Sequence, residues 1–142
     1  MPPSATETVD VFGDSTNEEI LAWVSEVGGT GEFLREVFLG MQDAFLADRA
    51  GSSAATVQWL IGSPEGQLPY QMHVHDGRCE VRPGRAAAPG VTFEMALPDF
   101  LRLVLGGVDG DTAYQTGALR VSGDAALAKT VNGWFRPPIR AR

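Results

Sequence analysis

The sequence predicts one α+β domain, a five-stranded, largely antiparallel sheet covered on one face by helices. Three observations carry this. Segments with apolar residues at every second position cluster between Thr56 and Met95. Segments with apolar residues at three- and four-residue spacing lie before and after them. Glycine and proline separate the two kinds, and Asp76-Gly77 is the strongest hairpin signal in the chain.

Residues 1–14 combine prolines, small polar residues and acids, and are expected to form a flexible segment. The domain is expected to run from 15 to 135. Thr16-Asn17-Glu18-Glu19 is a capping-box pattern. It opens a helix over 16–27, with Ile20, Trp23, Val24 and Val27 on one stripe. Gly28-Gly29-Thr30-Gly31 then reads as a hinge. It lacks the preceding strand, the glycine spacing and the following Lys-Ser/Thr of a phosphate loop. Glu32 to Asp48 is the strongest helix, with Phe33, Val37, Met41 and Phe45 at intervals of four, flanked by Leu34 and Phe38.

After a Gly/Ser connection come the strands. Val57, Trp59 and Ile61 face inward on the first, and Leu68, Tyr70, Met72 and Val74 on the second. Arg78 to Arg82 is the third and stops at Pro83-Gly84. Val91, Phe93 and Met95 alternate on the fourth. Leu97-Pro98-Asp99 opens a helix with Phe100, Leu103 and Val104 inward, closed by Gly106-Gly107. Asp111 starts a short helix that ends at Gly117, a residue able to take the left-handed closing conformation. Leu119 and Val121 share one face of the fifth strand. Gly123-Asp124 turns the chain, with Asp124 as the N-cap of a last helix. Leu127, Val131, Trp134 and Phe135 form its wide apolar stripe. Pro137-Pro138 then stops it, and 136–142 is a tail of three arginines without an acid, expected to be solvated.

The net charge is -7. That excludes nucleic acid, where Lys and Arg supply most of the affinity, and disfavours docking on anionic membrane. There is no run long enough to span a bilayer and no signal-peptide pattern. The single cysteine, Cys79, cannot make an internal disulfide, which points to a reducing cytoplasm. The Ala- and Gly-rich composition suggests a bacterial source.

Tyr114, Gly117, Leu119, Val121, Gly123 and Asp124 spell an aromatic-x-x-Gly-x-Leu-x-Val-x-Gly-Asp run ahead of a helix with small residues. Upstream, in order, lie Val37 to Phe45, Val91 to Met95, and Asp99 to Gly107. The ordered set resembles the sterol carrier protein type-two (sterol-binding) family from about Phe33 onward, leaving the 16–27 helix as an addition. The resemblance implies the same α+β fold and an apolar tunnel between sheet and helices that binds lipids, with the last helix at its mouth. The Ser-Lys-Leu type of terminus that peroxisomal members carry is not seen here. No cofactor is expected.

Candidate ligand-binding residues are the inward ones. The long helix supplies Phe38, Met41 and Phe45. The sheet supplies Trp59, Tyr70, Met72, Phe93 and Met95. The later helices supply Phe100, Val104, Leu127, Val131, Trp134 and Phe135. Tyr70, Tyr114 and Gln115 are candidate polar handles. A fully packed core is the competing reading, yet methionines and aromatics adapt to varied guests. Burying about 400 Å² of ligand gives roughly 10 kcal/mol at about 25 cal/mol per Å². Association removes roughly 4 to 15 kcal/mol, so micromolar, promiscuous binding is expected.

His73 and His75 point the same way from one strand, and Glu80 and Glu94 share that outer face. A solvated face with cross-strand pairs explains them, and no metal site is expected. His75-Asp76 has the form of a base with its orienting acid, but no Gly-x-Ser-x-Gly accompanies it. Cys79 reads as a buried thiol, and Asp99, Asp111 and Asp124 as helix-start acids. No catalytic residue is therefore expected.

The leading function is binding, sequestration or transfer of a small hydrophobic ligand of lipid, fatty acyl, sterol or isoprenoid type. The first alternative is a pocket enzyme holding an intermediate such as a polyketide for cyclisation or proton transfer, with Tyr114, Tyr70, His75 and Asp76 as its polar actors. The second is a non-catalytic interaction module, in which the stripe of the 16–27 helix is covered by its own domain or by a second subunit in a homodimer, with Trp23 as a natural anchor; the same helix could equally cap the ligand tunnel.

Overall fold

The computed structural model describes residues 16–26, 28–64, 66–104 and 110–135. The N-terminal segment, Val27, Gly106-Gly107 and the proline-arginine tail lie outside these, as does the side chain of Asp111. The elements run α1 (Asn17–Glu26), α2 (Thr30–Asp43), α3 (Ala47–Ala50), β1 (Ala55–Ser63), β2 (Gly66–His75) and β3 (Arg78–Pro83). They continue with β4 (Val91–Ala96), α4 (Leu97–Val104), α5 (Gly110–Gln115), β5 (Arg120–Gly123) and α6 (Ala125–Asn132).

The expected α+β architecture is present as one open sheet, ordered β3-β2-β1-β4-β5. The β1–β2, β2–β3 and β4–β5 pairs are antiparallel, and β1–β4 is parallel. The sheet is therefore mixed. The parallel pair arises because the chain leaves β3 at one edge and must cross β2 and β1 to start β4. Gln58 holds that crossing. It is only 4% exposed. Its Nε2 donates to Tyr70 O at 2.9 Å, and its Oε1 accepts from Ala86 N at 2.6 Å. Gly90 N also donates to Thr56 O at 2.8 Å. Gln58→Ala leaves those groups unpaired and is expected to cost about 1–3 kcal/mol in urea unfolding. An unchanged midpoint would show that the crossing is held without Gln58.

Local signals formed as expected. Thr16 N donates to Glu19 Oε1 and Glu19 N to Thr16 Oγ1, both at 3.2 Å, a reciprocal capping box. Asp76 and Gly77 both have positive φ, 51° and 72°, the requirement of a type I′ hairpin turn. Asp124 Oδ1 accepts from Ala126 N at 2.9 Å and Leu127 N at 3.1 Å, capping α6. The α1 stripe is covered by its own domain. Ile20 and Val24 are fully buried. Trp23 meets Phe33 edge-on at 5.1 Å. Arg102 Nη1 of α4 donates to Asn17 Oδ1 at 2.7 Å.

Two expectations need correction. The long helix stops at Asp43 rather than Asp48. Leu46 N bonds Trp134 O at 2.6 Å instead of continuing the ladder, and Phe45 forms an antiparallel bridge with Phe135. The last helix ends at Asn132, so Trp134 and Phe135 lie beyond it rather than on its stripe. Both corrections have one cause: the segment after α2 and the segment after α6 pair with each other where each was expected to stay helical.

Candidate functional site

The expected inward residues meet between the sheet and α2 and α4. Phe38 stacks on Tyr70 at 4.3 Å and on Phe100 at 5.2 Å. Trp59 lies against Phe93 at 4.8 Å and edge-on to Phe38 at 6.0 Å. Met41, Met72, Met95 and Val104 are buried around these rings. Val131 and Trp134 are buried at the C-terminal side, and Leu127 is partly buried there. A tunnel is not shown among the described residues, where these rings lie against one another.

What the structure shows is an open cleft of about 640 Å³ at one end of this interior. Phe45 and Phe135 line it. Leu46, Ala47, Asp48, Arg49 and Gly133 complete it. Sequence reasoning placed the first three of these inside a helix and Arg49 in a linker, passed over Gly133, and so missed all five. The cleft exists because the Phe45–Phe135 bridge and the Leu46–Trp134 hydrogen bond hold the α2–α3 junction against the chain after α6. Its volume lies within the usual range for small-molecule sites.

The polar handles are divided. Tyr70 is half-buried, and desolvation raises its phenol above the ordinary value, opposed by the Arg35 charge. Tyr114 is 60% exposed and Gln115 is exposed. Neither belongs to the interior, because the short α5 turns Ala113 inward and so presents Tyr114 to solvent.

The residues named for an enzyme are likewise not gathered. His75 and Asp76 are 3.4 Å apart at the exposed hairpin tip. Tyr70 is five residues back along β2, and so points from the opposite face. His73 is on the outer face, with Nε2 2.7 Å from Gln71 Oε1 and Nδ1 3.5 Å from Thr56 Oγ1. Among the described residues, no group of three His, Cys, Asp or Glu side chains is placed to hold a metal ion.

Cys79 is buried, and desolvation pushes its thiol up to about 12, with the Glu80 carboxylate adding to the shift. It is a protonated, unreactive thiol at neutral pH. Its folded value lies above its ordinary 9.0, so its contribution to stability is full below that value and is lost as pH rises towards about 12. The protein should lose more stability over that window than Cys79→Ala does. Equal losses would contradict the shift.

A model of the SCP-2 sterol transfer family matches residues 38–136. The chain belongs to this family. α1, its hinge to α2 and the first half of α2, up to Val37, precede the matched region of this SCP-2 family chain. No curated protein matches it.

Solved structures share the fold. Palmitated SCP2L2 from Aedes aegypti aligns with TM-score 0.60 at 20% identity, over 70% of this chain and 91% of that one. Sterol carrier protein domain 2 of Helicoverpa armigera gives 0.57 at 19% identity, over 69% and 84%. The inverting sec-alkylsulfatase Pisa1 from Pseudomonas sp. gives 0.59 at 18% identity, over 67% of this chain. This chain spans 15% of the Pisa1 chain's length. No helix among the described residues is long and apolar enough to cross a membrane.

Proposed function

We propose that this SCP-2 family chain binds a small hydrophobic molecule, of lipid, fatty acyl, sterol or isoprenoid type, and sequesters or transfers it. The observation that carries this is the open cleft between Phe45 and Phe135, at the end of an interior made of methionines and aromatics. The cleft is the mouth, and Phe38, Met41, Trp59, Met72 and Phe100 are the surface that a ligand meets on entering. The Aedes aegypti neighbour is palmitated SCP2L2, and that supports a fatty acyl guest. Binding works by apolar burial less the costs of association, so affinity is micromolar and selectivity broad. The buried, protonated Cys79 thiol fits work in a reducing cytoplasm.

The test is native mass spectrometry of the protein as purified, with extraction and identification of anything released, followed by titration with fluorescent fatty acyl and sterol probes. A co-purified lipid or a micromolar probe affinity is expected. Phe135→Arg, which places a charge in the cleft, should weaken probe binding by about tenfold or more, the equivalent of about 1.4 kcal/mol. A protein that flies empty and binds none of the probes would refute the reading.

A further inference from the structure

Two indole N–H groups of the interior, Nε1 of Trp59 and Nε1 of Trp134, find no acceptor among the described residues. Trp59 is 5% exposed and Trp134 is 2% exposed. Buried tryptophans normally place this group against a partner, and an orphan donor in a native core calls for an explanation. The two are not equivalent. Trp59 has three phenyl rings around it, Phe93, Phe100 and Phe38, at 4.8, 5.7 and 6.0 Å. The face of an aromatic ring is a weak acceptor for an N–H. Among the described residues, Trp134 has only Phe45, edge-on and farther away, at 6.5 Å.

Trp134 also sits beside the cleft. Its chain neighbours Gly133 and Phe135 both line that cleft, as does its ring neighbour Phe45. Its backbone is fixed at both ends, with its N donating to Val131 O at 3.0 Å and its O accepting from Leu46 N at 2.6 Å. The backbone of Trp134 is therefore held between two residues that line the opening, with its ring buried. The charged groups of the cleft are one carboxylate, Asp48, and one guanidinium, Arg49. These two charges cancel, so the described lining carries no net charge with which to select an anion or a cation.

We propose that Trp134 Nε1 is the polar anchor of the site, donating a hydrogen bond to a neutral acceptor oxygen, such as a ketone, ester or hydroxyl, of an otherwise apolar ligand. This rests on the binding reading above and narrows its ligand class. Phe45 and Phe135, both partly buried, are the side chains that must turn to admit the oxygen.

The test uses the full chain with 15N-labelled tryptophan indoles, titrated with 2-undecanone and with n-undecane. Single Trp→Phe variants at 23, 59 and 134 assign the three signals. The ketone is expected to bind up to about tenfold more tightly than the alkane, the range of one added hydrogen bond. Only the ketone should move the Trp134 indole proton downfield. Trp134→Phe should bring the ketone down to the affinity of the alkane, with the alkane little changed. Equal binding of the two probes, or a ketone preference that survives Trp134→Phe, would overturn the proposal while leaving the binding reading intact. If neither probe binds and fluorescent fatty acyl probes also fail, the binding reading falls and this proposal with it. Should Trp134→Phe not fold, the other two variants assign its signal by elimination, and the wild-type titration decides.

Discussion

Phe38→Ala is expected to remove about 3–5 kcal/mol of folding stability, the range for truncating a buried phenylalanine. Phe38 is the ring on which the interior converges. It stacks on Tyr70 from β2 and on Phe100 from α4, and meets Trp59 from β1 edge-on. Truncation deletes all three contacts and leaves a void between sheet and helices that none of these rings can fill without leaving its neighbours. Phe38→Leu keeps most of the volume and should cost less than half as much. Urea unfolding of both variants measures this. The size of the loss also bears on function, because the cost of a truncation grows with the cavity that remains. A loss below about 1 kcal/mol would show that the space beside Phe38 is already loose or readily collapses. That is the property of a ligand-accepting interior and not of a close-packed one.

Gly123→Ala is expected to cost about 3 kcal/mol or more, from left-handed strain of about 1–2 kcal/mol plus a backbone clash. Gly123 ends β5 with φ 98°. A Cβ there would lie 2.6 Å from Gly90 O and 3.2 Å from Val91 Cα. Neither is the end of a flexible side chain, so one strand must move. Gly90 O already accepts from Asp124 N at 2.9 Å, and Val91 pairs with Gly123. The movement would therefore disturb both the β4–β5 ladder and the start of α6. Gly117 is the control. Its φ is 83°, but a Cβ there meets nothing within 4 Å. Gly117→Ala should cost only the conformational strain, about 1 kcal/mol. Thermal unfolding of the two variants separates strain from clash. Equal losses would show that the Gly90 contact relaxes freely.

Much of the molecule was legible because it follows from rules that act over a few residues. The alternation of Val57, Trp59 and Ile61, and of Val91, Phe93 and Met95, put the right side chains inward. Thr16 with Glu19, Asp76 with Gly77, and Asp124 each act within three residues of themselves. The family, too, was readable, since its motif is an ordered run of such local signals.

What the residues alone could not show depends on partners distant in the chain. Phe45 continues a helical period, and only its pairing with Phe135 takes it out of the helix. Gln58 occupies an outward position on β1 and looks solvated, until the link from β3 to β4 crosses over it and buries it. The cleft comes from the same kind of contact, since Leu46 to Arg49 and Gly133 meet only when the segments after α2 and after α6 pair. Sequence pattern therefore decided which side chains face inward, because orientation along a strand or helix is a local, periodic property. The fold decided whether those side chains fill the interior or leave an opening, because packing is settled between surfaces that sequence order keeps apart.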